Sequence, residues 1–166
     1  MERQIGSVPS VSSRLFAALA STALVLGYAV GSGLWVSSGD GWYRSLVRPS
    51  WQPPDAVFGL IWPYNFLVLG ITGWIVANRG STADRTAWLC SLAVGVAGAL
   101  AWARLFYVSH SLWPAAAALA VAAVLAWPLV VVAWRAAPVL GLALVPYAVW
   151  VAVATSLAAG YASLNG

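Results

Sequence analysis

The sequence predicts an all-α integral membrane protein, a bundle of five transmembrane helices. Three observations carry this expectation. Hydrophobic residues make up 62% of the 166 positions and charged residues only 7%, whereas a soluble domain needs charges at roughly a quarter of its positions. The apolar residues fall into five runs, each near the length of about 20 residues that crosses a bilayer as a helix. The runs show no alternation of apolar and polar residues, for example across Ala115–Val132, which a β-barrel would require.

The five spans are expected at Leu15–Val36, Ala56–Ala77, Ala87–Val108, Leu112–Trp134 and Pro138–Leu164, in one membrane domain covering 1–166. The first run follows Arg14 and is rich in small residues, but it is longer than the h-region of a signal peptide and is kept as a span. The residues before it are polar and expected to be mobile. The connections Asn78–Thr86, Ser109–Ser111 and Arg135–Ala137 are short, so successive helices should pack antiparallel. Ser37–Asp55 is the longest loop, and long loops in compact folds tend to carry function. At its end Pro53 and Pro54 suit a helix start, where no amide donor is needed, and Asp55 suits the positive end of the helix dipole. Pro63, Pro114, Pro128 and Pro146 fall within later spans and are candidates for kinks.

Every basic residue is an arginine. No basic stripe or recognition motif accompanies the net charge of +4, so nucleic acid is not expected as a partner. The arginines read as topology instead. Arg3, Arg14, Arg79, Arg85 and Arg135 lie toward the amino-terminal side, and Arg44, Arg48 and Arg104 toward the other. This bias places the amino terminus in the cytoplasm. Arginine without lysine, with abundant Ala, Val and Gly, points to a bacterial cell membrane. Cys90 is the only cysteine; it excludes an intramolecular disulfide and reads as a small apolar filler in the third span.

Helix alternation sends Trp35, Trp42, Trp51, Trp62, Trp102 and Trp113 toward the long-loop face, with Phe58, Phe106, Tyr107 and Tyr161. Trp74, Trp88, Trp127 and Trp134 lie toward the opposite face, and Trp150 near mid-membrane. Two readings are open. The aromatics form interfacial belts, or they line a pocket whose rings stack on a flat ligand while arginines pair with its carboxylates, as a tetrapyrrole would require. Arg104 either snorkels to the interface or pairs with such a carboxylate. His110 reads as a solvated loop residue rather than an iron ligand. No catalytic triad, metal cluster or nucleotide loop is present, and no catalytic or metal-binding residue is assigned. Ser91, Gly95, Ala99 and Ala103 recur every four residues on the third helix. Such a stripe allows close helix approach, either in a homodimer or in internal packing; a homodimer is the expectation.

The run Arg48-Pro49-Ser50-Trp51-Gln52-Pro53-Pro54-Asp55-Ala56-Val57-Phe58-Gly59-Leu60-Ile61-Trp62 closely resembles the signature of the translocator protein family, also called TspO/MBR or tryptophan-rich sensory proteins. Trp42-Tyr43 resembles the family's upstream loop pair. Val145-Pro146-Tyr147-Ala148-Val149-Trp150 resembles its fifth-span Pro-Tyr-x-x-Trp element. The resemblance implies a five-helix bundle, often homodimeric, with a pocket under the first loop that binds porphyrin or haem as ligand, with no obligatory cofactor. Trp51, Trp62, Tyr147, Trp150, Arg48, Trp42, Phe58, Trp102 and Arg104 are the expected ligand-binding residues. The implied role is that of a sensor, scavenger or transporter; the alternative is an enzyme of light-dependent porphyrin degradation.

The chain departs from the family pattern at three places. Ala99 stands where many members carry Asn, Leu157-Ala158 where many carry Leu-Asn, and Ala103-Arg104 where a proline pair is usual. The lost polar groups count against drug-type ligands. No basic residue follows Tyr147, which counts against a sterol.

Overall fold

In a computed structural model of the chain, residues 10–36 and 40–166 are described; Arg3 and the first residues of the long loop lie outside them. Helix α1, Val11–Trp35, begins where the Ser10 hydroxyl accepts from the Ser13 amide at 3.3 Å. A short α2, Gly41–Ser45, lies in the long loop and is capped by Asp40, which accepts from the Trp42 amide at 3.2 Å. Helix α3 runs Asp55–Arg79 behind Pro53-Pro54, α4 Thr82–Tyr107, α5 Leu112–Ala136 and α6 Pro138–Asn165. Five of these helices are long and apolar enough to cross a membrane. Helix α3 runs through Pro63, α5 through Pro128 and α6 through Pro146.

Helices α3 and α4 reach further than the apolar runs. The expected connection Asn78–Thr86 shrinks to Gly80 and Ser81. The reason is a capping box: the Asp84 amide donates to the Ser81 hydroxyl and the Ser81 amide to Asp84 Oδ2, both at 3.1 Å. Polar residues thus start a helix that hydropathy alone begins later. Across the same end, Arg135 meets Asp84 at 3.5 Å. Arg85, itself buried, donates from Nη2 at 2.8 Å and from Nε at 3.2 Å to the Gly80 carbonyl, the negative end of α3.

Leu26, Val30, Leu60, Leu67, Val124 and Leu142 all point outward and are exposed. A girdle of large apolar side chains suits a hydrocarbon solvent, not water. Inside, small residues set the helix spacing. Helices α4 and α5 touch closely enough that a Cβ at Gly98 would stand 2.7 Å from the Ala118 carbonyl oxygen. Helix α5 packs extensively on both α4 and α6, and α1 lies between α3 and α4. Helix α3 meets α6 only lightly, which leaves room between them.

Three expectations about side-chain direction are corrected here. Ser91, Gly95, Ala99 and Ala103 are buried inside the protomer, so the stripe is internal packing and not a docking face for a second copy. A larger side chain at Gly95 would press on Leu125 of the same chain, whose Cβ would lie 3.9 Å from the added one. Cys90 sits in α4 but faces outward, exposed. Trp88 is also not a belt residue: it is buried and its indole donates to Ser21 at 2.7 Å.

Candidate ligand cavity

The space between α3 and α6 is a cavity of about 450 Å³ under the long loop, within the range of small-molecule sites. Helix α3 contributes Asp55, Phe58, Trp62 and Phe66, one per turn from its start. Helix α1 contributes the small wall Ala29, Ser32 and Gly33, and Val36 follows at its C-cap. Helix α4 adds Trp102, Phe106 and Tyr107, and α6 adds Trp150, Ala154, Leu157, Ala158 and Tyr161. Tyr43 and Gln52 close it from the loop.

Aromatic edges and faces build the walls. Tyr28 meets Phe66 edge-on at 5.2 Å and Trp62 at 5.8 Å, and together they form the floor. Trp150, 7% exposed, stands edge-on to Phe58 at 5.1 Å. Trp102 and Tyr107 cross at 81° and 5.9 Å. The indole nitrogens of Trp102 and Trp150 are buried without hydrogen-bond partners among the described residues.

The loop is fastened to the end of α6. Asn165 accepts from the Val47 amide at 2.8 Å and donates to its carbonyl at 3.0 Å, as a neighbouring strand would. Tyr161 donates to Gln52 Oε1, and the Tyr43 hydroxyl lies 3.2 Å from that of Tyr161. Each hydroxyl carries one proton, so Tyr43 donates to Tyr161. Trp51 packs closely on Gly160, where a Cβ would come within 2.7 Å of Cζ2 and within 2.9 Å of the Pro49 ring. On the other side, Trp42 stacks on His110 at 3.8 Å and 11°. His110 takes φ 54° where α4 ends, and the turn is closed by Ser111 N donating to the Leu105 carbonyl at 2.8 Å.

Gly160→Leu is therefore expected to lift Trp51 and free the loop while helix content stays near that of the parent. Limited proteolysis should then cut the 40–54 segment several times faster, since local opening becomes cheaper. Unchanged cleavage would show that Trp51 does not hold the loop.

Four of the nine expected ligand residues line the cavity: Phe58, Trp62, Trp102 and Trp150. The other five do not. Trp51 is 54% exposed and faces Gly160 rather than the cavity. Trp42 packs behind the wall on Phe106 at 5.6 Å. Tyr147 is buried in the core beside Tyr28, under the floor. Arg48 is exposed with its guanidinium carbon 6.0 Å from the Tyr43 ring centre. Arg104, in the last turn of α4, is also exposed and outside the lining. Tyr43, Gln52 and Phe66 join the site without having been expected. So does the α1 wall, whose only signal is its small residues on one helical face. No group of His, Cys, Asp or Glu able to hold a metal ion occurs among the described residues.

The TspO/MBR family pattern matches residues 18–164, which takes in every helix wall of the cavity. The chain belongs to the TspO/MBR family. Its relatives include the human Translocator protein, 30% identical over 134 residues, covering 80% of this chain and 79% of that protein. Protein CrtK of Rhodobacter capsulatus is 27% identical over 127 residues, with 74% and 77% covered. The Tryptophan-rich protein TspO of Chlorobaculum tepidum is 29% identical over 135 residues, with 81% and 85% covered. The TspO/MBR signature noted at Arg48–Trp62 does two jobs here. Its first half fastens the loop to α6, and its second half, from Asp55, is the α3 wall.

Proposed function

We propose that this multi-pass membrane protein binds a tetrapyrrole, a porphyrin or haem, in the cavity under the loop and acts as a sensor, scavenger or transporter of it. The observation that carries the reading is the cavity itself. It is of small-molecule size, walled by aromatic rings from three helices and closed from the loop by Tyr43 and Gln52. Flat aromatic ligands gain from stacked and edge-on contacts with such walls. The reading is tested by titrating the purified protein with protoporphyrin, haem and a sterol, in darkness and in light, and following tryptophan quenching and the pigment spectrum. Submillimolar quenching by the porphyrins and none by the sterol is the expected result. A defined, protein-dependent product formed only in light would assign the chain instead to porphyrin degradation, a reading favoured by the indoles of Trp62, Trp102 and Trp150 at the cavity. No quenching by either porphyrin would remove the proposal.

The protein is further proposed to sit in a bacterial cell membrane with its amino terminus in the cytoplasm. Arg14, Arg79, Arg85 and Arg135 belong to the helix ends on the amino-terminal side, against Arg44, Arg48 and Arg104 on the loop side. Reporter fusions at the two termini should read cytoplasmic for the first and non-cytoplasmic for the second; the reverse pattern would invert the orientation. A homodimer, implied by the family resemblance, would have to meet through a lipid-facing surface, because the small-residue stripe of α4 is occupied within the protomer.

A further inference from the structure

Among the described residues the cavity lining carries a single charged side chain, and it is acidic. Asp55, the first residue of α3, lines the cavity from an exposed position at its mouth, while Arg44, Arg48 and Arg104 at the same end of the bundle are exposed and outside the lining. The polar groups of the roof are engaged with one another: Tyr161 donates to Gln52, and Gln52 Nε2 donates to the Tyr43 hydroxyl at 3.5 Å. The two wall indole nitrogens are enclosed by protein and offer no accessible N–H. Among the described residues only neutral donors, the hydroxyls of Ser32 and Tyr107 and the indole N–H of Trp62, remain to meet an anion inside. An ionised carboxylate in this space would therefore face a like charge and no cation, in apolar surroundings where its lost hydration is not replaced.

We propose that Asp55 sets the charge selectivity of the cavity. The cavity takes a neutral or cationic flat ring system, with any ammonium group it carries turned toward Asp55. Carboxylates of the same ligand stay outside the roof. Arg48 is placed for them there, one ring away from the cavity, over the face of Tyr43. This inference rests on the tetrapyrrole reading and specifies which end of the molecule goes in.

The test compares three probes on the full chain at low ionic strength: protoporphyrin, its dimethyl ester, and a porphyrin bearing aminoalkyl chains in place of the propionates. Asp55→Asn is expected to tighten protoporphyrin by about three- to ten-fold and to weaken the amine-bearing porphyrin by about the same factor. It should leave the ester within about two-fold, and the differences should shrink at high salt. Asp55→Glu, which keeps the charge, should retain the parent's order of affinities and guards against a folding effect at the start of α3. Binding of all three probes to the parent with equal responses to Asp55→Asn would overturn the selectivity while leaving the tetrapyrrole reading in place. Failure of all three to bind the parent would overturn both.

Discussion

Trp150→Ala is expected to weaken protoporphyrin binding by about ten-fold or more. The indole is almost wholly enclosed and forms the α6 wall of the cavity, edge-on to Phe58 at 5.1 Å. Buried aromatic anchors of this kind commonly contribute about 2 kcal/mol or more to binding, and about 1.4 kcal/mol is a factor of ten. Truncation also removes the ring against which Phe58 is held, so the α3 wall loosens with it. Trp150→Phe keeps an aromatic face and should lose much less, which separates the loss of a wall from general destabilisation. Trp74→Ala removes an equally large ring from the opposite end of the bundle, where it is half exposed, and should leave affinity unchanged. Fluorescence titration of the three variants decides the matter. Equal affinities for Trp150→Ala and Trp74→Ala would return the tryptophans to the role of interfacial anchors.

Gly73→Ala should produce the largest loss of stability of any single methyl added to α3. Gly73 lies where α1, α3 and α4 converge, beside the buried bond that the Trp88 indole donates to Ser21. An added Cβ would stand 3.2 Å from Trp88 Nε1 and 3.0 Å from the Ser21 Cβ. The Ser21 hydroxyl, the nearest group, can turn away only by giving up that bond. The helices must separate or the bond must break, and overpacking together with a lost buried hydrogen bond costs about 2 kcal/mol or more. Gly70→Ala is the internal control. It lies one turn earlier on the same helix with nothing within 4 Å of the added carbon, so the better helix propensity of alanine, up to about 1 kcal/mol, should make it neutral or stabilising. Thermal unfolding in detergent, followed by helix content, should rank Gly70→Ala at or above the parent and Gly73→Ala well below it. Equal transitions for the two variants would show that the three-helix junction is not close-packed.

Both predictions depend on which way a side chain points, and here sequence and structure divide the work. The existence of five spans was legible because the cost of leaving a backbone unpaired in lipid leaves long apolar runs one outcome. The start of α3 was legible at Pro53-Pro54-Asp55, and the crowding of aromatics toward the loop face followed from helix alternation alone. The TspO/MBR signature was readable as a motif, and the family assignment agrees with it. The capping box at Ser81 was less visible, because its polar residues lie outside the apolar run that hydropathy follows.

What only the tertiary structure decided is the facing of each residue around those helices. In water, an amphipathic stripe marks the buried side of a helix. In lipid the outside is as apolar as the inside, so that mark is missing and packing is set by where small residues let backbones approach. Trp51 and Trp62 share one motif, yet Trp51 lies over Gly160 on the outside of the roof while Trp62 forms the floor. Trp74 and Trp88 belong to the same end of the bundle, yet one is half exposed and the other is bonded to Ser21 in the core. The Ser91–Ala103 stripe had the spacing of a close helix contact; the partner proved to lie within the same chain. The sequence determined the number of crossings and the face that holds the aromatics. The choice of which aromatics bound a cavity came from gaps and close approaches among neighbouring helices, a property of five segments together that no one segment carries.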